Sequence, residues 1–143
     1  MIQSSHFQQL LHTAAAQPEP HRLLFVFASA SLPENSTLKQ RAEVNAGIGG
    51  ALTPLMCVDK APADLASFDI LVAESRRAGP PWQVVFAASL SGSDGRPPSP
   101  ARIDAALEKM VNAVLLGGIG AFAAFAASGE PLQFQDVLSH LLT

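Results

Sequence analysis

A run of six apolar residues from Leu23 to Ala28, LLFVFA, is the feature that most restricts how this chain can fold. No polar side chain interrupts the run, so a strand formed here is expected to be buried on both faces of its sheet. The run therefore predicts an interior strand with helices packed on at least one face of the sheet.

Helix and strand signals alternate along the rest of the chain. Phe7, Leu10, Leu11 and Ala14 recur at helical spacing, which predicts a first helix over 5–16. Further strands are predicted at 52–58, 82–90 and 121–126, with a short fifth strand at 132–135, and further helices at 34–46, 62–77, 100–116 and 136–142.

This order of elements predicts the fold class α/β. We expect a single α/β domain over 1–143, with a mixed or largely parallel sheet of four to five strands and helices packed on it. A two-layer α+β sandwich is the alternative arrangement. The predicted core contains Phe25, Phe27, Leu55, Leu71, Val85, Phe86, Leu107, Val111 and Phe122.

Composition bears on the partners of the chain. Charged residues make up only 15% of the 143 residues, the net charge is −3, and the densest basic spot is Arg76-Arg77. A nucleic-acid surface needs a basic stripe, so no nucleic-acid partner is expected. A small domain with few charges is expected to cover part of its surface with another copy, which predicts a homo-oligomer, most commonly a dimer.

Cysteine usage and the uncharged stretches bear on location. Cys57 is the only cysteine, so no disulfide within the chain and no cysteine metal cluster can form, and a cytoplasmic location is the simple expectation. The stretch 1–16 lacks the Lys or Arg of a secretion signal. Residues 110–129 carry no charge, but glycines interrupt them, which favours a buried helix end and a strand over a membrane span.

Candidate ligand-binding residues lie where two predicted strands end. Asp59 and Lys60 follow the second strand, and Ser91 and Arg96 follow the third, with Arg96 as the anchor for an anionic ligand. In open α/β sheets, ligands bind outside the carboxyl ends of strands. The alternative is that Asp59 caps a turn, that Lys60 is solvated, and that Ser91 and Arg96 belong to a flexible surface loop. We predict no catalytic residue, no metal site and no cofactor, since Cys57 has no histidine near it in sequence.

Three segments carry a resemblance to a known family: Leu23 to Ala28 (LLFVFA), Gly49 to Lys60 (GGALTPLMCVDK) and Gly79 to Phe86 (GPPWQVVF). They resemble a family of small uncharacterised proteobacterial proteins often labelled "ribonucleotide reductase subunit alpha". Reductase chemistry would need a radical-bearing cysteine and a redox cysteine pair, or a radical tyrosine with metal ligands. This chain has one cysteine and no tyrosine, so the resemblance implies a bacterial source without implying that reaction.

The sequence thus favours a small cytoplasmic binding or interaction protein that forms homo-oligomers. The alternative function is a small enzyme with its site at the strand ends, around Asp59, Lys60, Ser91 and Arg96. A membrane partner is not expected, and the sequence does not indicate which small molecule a ligand site would take.

Overall fold

A computed structural model of the chain describes residues 5–31, 51–65, 67–116 and 118–132. These residues form three α-helices, five strands and one 3₁₀ turn. In chain order they are α1 (Ser5–Ala15), β1 (His21–Ser31), β2 (Ala51–Lys60), the 3₁₀ turn (Pro62–Asp64), α2 (Phe68–Ala78), β3 (Val84–Ser91), α3 (Pro100–Leu116), β4 (Ala123–Ala126) and β5 (Pro131–Leu132).

The five strands form one sheet in the order β2-β1-β3-β4-β5, and every pair of neighbours is antiparallel. The predicted mixed or largely parallel α/β sheet is therefore wrong. The α+β alternative agrees with the antiparallel sheet.

The error has a topological cause. β1 lies between β2 and β3 and is antiparallel to both, so β2 and β3 run in the same direction without being neighbours. The segment that contains α2 carries the chain from β2 past β1 to β3. Alternation of helices and strands limits connection length, but it does not specify which edge of the sheet the next strand joins.

The interior strand β1 is buried on both faces, as its sequence predicts. Leu23, Phe25 and Phe27 belong to one apolar cluster with α1 and α2, and the alternate residues Leu24 and Val26 belong to a second cluster with α3. None of these five side chains is more than 3% exposed. Helices consequently cover both faces of the sheet.

Most of the predicted core is buried. Three of its members, Leu55, Val111 and Phe122, are only partly buried and pack at the borders of the two clusters. The buried members are Phe25, Phe27, Leu71, Val85, Phe86 and Leu107.

Helix starts follow their capping residues. α3 begins at Pro100 after Ser99, whose Oγ accepts a 3.3 Å hydrogen bond from the N–H of Arg102, as the sequence predicts. α2 does not begin at Pro62: residues 62–64 form the 3₁₀ turn, Leu65 is extended, and Ser67 caps the helix at Phe68. Proline at a first helical position is equally suited to a 3₁₀ turn, so it did not identify the α-helix start.

β4 begins at Ala123, two residues later than predicted, and β5 covers Pro131–Leu132. The part of the predicted fifth strand at 133–135 lies outside the described residues. The predicted helices at 34–46 and 136–142 lie outside the described residues. Among the residues that the structure describes, no helix has both the length and the apolar character required to cross a bilayer.

Candidate functional site

The predicted site residues that follow β2 and β3 lie at one end of the sheet. Because β1 is antiparallel to both strands, its first residues lie between their last ones: Leu23 pairs with Lys60, and His21 pairs with Ser91. The structure therefore brings Asp59, Lys60 and Ser91 to the same end, with the start of β1 between them.

Asp59 is paired with Arg22 from the start of β1. Its Oδ2 accepts hydrogen bonds from Nη2 of Arg22 at 2.5 Å and from Nε at 3.0 Å. The two side chains are 28% and 29% exposed, so the ion pair is largely but not fully desolvated. Asp59 lies opposite Leu24, whose side chain faces α3, which places the Arg22–Asp59 pair on the α3 face of the sheet.

Lys60 is paired on the other face. Its Nζ lies 2.7 Å from Oε2 of Glu74 in α2, and it is opposite Leu23, which faces α1 and α2. Consecutive strand residues point to opposite faces of a sheet. Asp59 and Lys60 are adjacent in sequence, yet they contact separate partners on opposite faces and do not converge on a common point.

Ser91 and Arg96 flank a tight hairpin turn. Ser93 and Arg96 exchange two backbone N–H···O hydrogen bonds of 3.0 Å, and the central residues Asp94 and Gly95 have φ angles of 54° and 74°. Positive φ at both central residues defines a type I′ turn, for which Asp-Gly is a preferred pair. The turn holds Arg96 on the surface, where its side chain is exposed.

The segment that carries this turn is fixed to the connection between α1 and β1. The N–H of Gly92 donates a 2.8 Å hydrogen bond to the carbonyl of Pro20, and the N–H of Gly95 donates one of 2.8 Å to Oε2 of Glu19. The hydroxyl of Ser91 donates to the carbonyl of Gly92 at 2.9 Å. The segment from Ser91 to Arg96 is therefore held by backbone and side-chain hydrogen bonds.

The four predicted residues thus differ in what they offer a ligand. Asp59 and Lys60 have ion-pair partners and Ser91 has an internal hydrogen bond, whereas Arg96 forms no ion pair within the described part of the chain. A common ligand site for them stays a prediction.

Sequence reasoning missed the partners Arg22, Glu74 and Glu19. Their identities are ordinary for exposed strand ends and helix surfaces, so composition gave no signal. Arg22 could have been identified as the partner of Asp59 only from the strand register, because the first residues of β1 and the last residues of β2 are neighbours in an antiparallel pair.

Cys57 is a free, exposed thiol on the strand β2. Within the ranges that the structure describes, no three His, Cys, Asp or Glu side chains are grouped closely enough to hold a metal ion. His21 lies near the predicted site, but its Nδ1 lies 2.8 Å from the carbonyl oxygen of Glu19.

β2 is a long edge strand. It covers ten residues, and β1 is its only strand neighbour among the described residues. Leu52, Met56 and Val58 are partly buried, and Cys57 is exposed. Within the described residues, the outer edge of β2 therefore has no strand neighbour and carries partly accessible apolar side chains. Pro54, which has no backbone N–H to donate, is compatible with an edge position.

A second accessible apolar feature lies at the end of α3. Leu115 and Leu116 are 60% and 87% exposed, the largest values among the exposed large apolar residues in the described part of the chain.

Comparisons of the chain with protein-family models, with curated proteins and with solved structures found no match. The function is therefore inferred from the residues and geometry given above.

Proposed function

We propose that this chain is a small cytoplasmic binding or interaction protein that acts as a homo-oligomer. The observation that carries the proposal is the outer edge of β2, a ten-residue strand with one strand neighbour in the described residues. An edge strand of this length presents backbone donors and acceptors that favour pairing with another strand. Leu115 and Leu116 add a second accessible apolar surface.

The alternative of a small enzyme has less support. Its candidate residues Asp59 and Lys60 are each engaged in an ion pair, and they lie on opposite faces of the sheet. A catalytic constellation needs groups that converge within hydrogen-bond reach of one reacting centre. Arg96 is the remaining cationic candidate at this end of the sheet.

The cytoplasmic part of the proposal rests on Cys57. Its thiol is exposed on an edge strand, where an oxidising compartment would promote disulfides between chains. A reducing compartment keeps such a thiol free.

The resemblance to the small proteobacterial family also stands as a proposal. The three segments that carry it contribute to β1, β2 and β3, so they cover the centre and one side of the sheet. Reductase chemistry is not part of the proposal, because a single cysteine cannot provide a radical cysteine and a redox pair.

Multi-angle light scattering of the purified full chain tests the homo-oligomer. We expect a mass of at least twice the 15.0 kDa of one chain at micromolar concentrations. A mass of one chain across that range contradicts the homo-oligomer and directs attention to Arg96 and the strand ends.

A further inference from the structure

We infer that the Asp94–Gly95 peptide is a site of covalent modification, the conversion of aspartate to isoaspartate, and that the carboxylate of Glu19 holds this peptide in an unreactive conformation. The pair is the only Asp-Gly dipeptide in the sequence. Both residues are exposed at the tip of the hairpin turn. The inference is independent of the proposed homo-oligomer, because it uses only the turn and the connection between α1 and β1.

The reaction needs no reactant other than water. The backbone nitrogen of Gly95 attacks Cγ of Asp94 and forms an N–Cγ bond, and the proton of the nitrogen leaves with the hydroxyl of the protonated carboxyl group as water. A cyclic succinimide remains, which water opens again. Cleavage of the N–Cγ bond restores aspartate. Cleavage of the bond between the nitrogen and the original backbone carbonyl carbon gives isoaspartate, in which the backbone runs through the side chain.

Crowding does not protect the nitrogen of Gly95. Glycine hinders an attack by its own nitrogen less than any other residue, because it has no side chain. Even a Cβ added at Gly95 would meet no atom within 4 Å, so a ring formed here has room. The conformation of the turn is therefore what can slow the reaction.

The turn keeps the two reacting atoms apart. Asp94 has a φ of 54° and is the only non-glycine residue with a positive φ in the described part of the chain. A type I′ turn combines this φ with a ψ of about 30° at the same residue. At that ψ the nitrogen of Gly95 and Cβ of Asp94 lie on opposite sides of the Cα–C bond. The ring can close only after the peptide group between the two residues has rotated.

Glu19 holds the peptide group that has to rotate. The N–H of Gly95 donates a 2.8 Å hydrogen bond to Oε2 of Glu19, so rotation breaks this bond. The two hydrogen bonds between Ser93 and Arg96 close the turn without using this N–H. A hydrogen bond to a carboxylate is stronger than one to a neutral acceptor. Removal of the Glu19 carboxylate is therefore expected to speed the formation of isoaspartate.

The modification would change the turn itself. Isoaspartate adds one carbon to the backbone between Ser93 and Arg96, and the length of a hairpin loop selects its turn type. The type I′ turn and its two hydrogen bonds no longer fit the longer loop. Isomerisation is thus expected to release Arg96 from the place on the surface where the turn holds it.

Ageing of the full chain in neutral buffer tests the inference. Aged samples are digested with trypsin, and the isoaspartate form of the peptide that contains position 94 is separated by chromatography and identified by fragmentation. We expect Glu19→Ala to form isoaspartate roughly fivefold faster than the parent, because loss of the hydrogen bond raises the population of the opened turn. Glu19→Gln keeps an acceptor oxygen, and its rate should stay closer to that of the parent.

Two controls separate this local effect from a general loss of stability. Glu108→Ala removes an exposed glutamate from α3 and should leave the rate at Asp94 unchanged. Amide hydrogen exchange, measured by NMR, should become faster at Gly95 in the Glu19→Ala variant. The amide of Val26, which is fully buried in β1, should keep the protection that it has in the parent.

Faster isomerisation in Glu19→Ala alone, with faster exchange at Gly95 alone, supports the inference. Equal rates of isomerisation in the parent and in Glu19→Ala would overturn it, as would the absence of isoaspartate at position 94 in both proteins. A slower rate in Glu19→Ala would show that the carboxylate takes up the proton of Gly95 during the attack, which contradicts a holding role. Equal loss of protection at Gly95 and Val26 would assign a faster rate to global unfolding and overturn the role of Glu19.

Discussion

The indole N–H of Trp82 donates a 2.8 Å hydrogen bond to the Oγ of Ser75 inside the apolar layer between α2 and the sheet. Ser75 is 4% exposed and donates its own proton to the carbonyl of Val72 at 2.7 Å. The ring of Trp82 lies 5.0 Å from that of Phe27, centroid to centroid. One serine hydroxyl thus satisfies a buried indole and links α2 to the segment that leads into β3.

Ser75→Ala should lower the free energy of unfolding by about 1–3 kcal/mol, because it leaves the indole N–H of Trp82 buried without an acceptor. Urea unfolding of the purified variant measures the loss. Trp82→Phe is the matched background, since it removes the donor. In that background Ser75→Ala should cost clearly less, and an equal cost in both backgrounds would show that the hydrogen bond is not the cause.

Phe25→Ala should cost about 3–5 kcal/mol of unfolding free energy. Phe25 is fully buried in the middle of β1, and its ring stacks on that of Phe7 with centroids 6.1 Å apart. Phe122→Ala is the control, because Phe122 is only partly buried and should lose less. A loss below about 1 kcal/mol for Phe25→Ala would be incompatible with its place in the core.

Gly92→Ala should destabilise the protein more than Gly95→Ala. A Cβ at Gly92 would lie 1.9 Å from the carbonyl oxygen of Arg96 and 2.7 Å from that of Pro20, so the backbone of the hairpin turn must move. We expect a cost of about 1–3 kcal/mol. At Gly95 a Cβ meets no atom within 4 Å, and only its φ of 74° opposes a side chain.

Thermal unfolding of the two glycine variants checks this order. Gly95→Asn is a further control, since asparagine tolerates a positive φ better than alanine does. If Gly95→Ala proved the more damaging of the two alanine variants, the close approach of Gly92 to the two carbonyl oxygens would not be what sets the stability of the turn.

The Arg22–Asp59 ion pair should contribute a coupling energy of about 0.2–1 kcal/mol in a double-mutant cycle of Arg22→Ala and Asp59→Ala. The coupling energy is small because both side chains are more than a quarter exposed, so water screens the interaction between their charges. The coupling should shrink in about 1 M salt, where screening is strong. A cycle of Arg96→Ala with Asp59→Ala should give no coupling.

The elements of this fold follow from local patterns, and their directions do not. The run from Leu23 to Ala28 predicts a strand buried on both faces because its apolar side chains alternate between the two faces, so both faces must be shielded from water. Ser99 and Pro100 predict the start of α3 because a cap acts on the next three residues. The direction of β2 relative to β1 depends on the path of a long connection, which no local pattern encodes.

The sequence predicted where the candidate residues lie in the sheet, but not which side chains they contact. Strand ends indicated Asp59, Lys60 and Ser91, and the register does bring these residues to one end of the sheet. Their partners could not be foreseen, because the ion pair of Asp59 joins residues 37 positions apart in the chain. Whether a strand-end charge is free for a ligand therefore depends on tertiary pairing.

The bulge in β2 makes one position in the strand dispensable. Leu55 is the extra residue between the partners of Phe27 and Ala28, and it leaves Leu52 on the α3 face while Met56 lies on the α2 face. Deleting Leu55 would restore a regular ladder and keep every other side chain of β2 on its present face. Deleting Val58 instead would move the residues after it to the wrong face. A protein of this fold can therefore shorten β2 by one residue at the bulge and still fold, and the melting temperatures of the two deletion variants should differ accordingly.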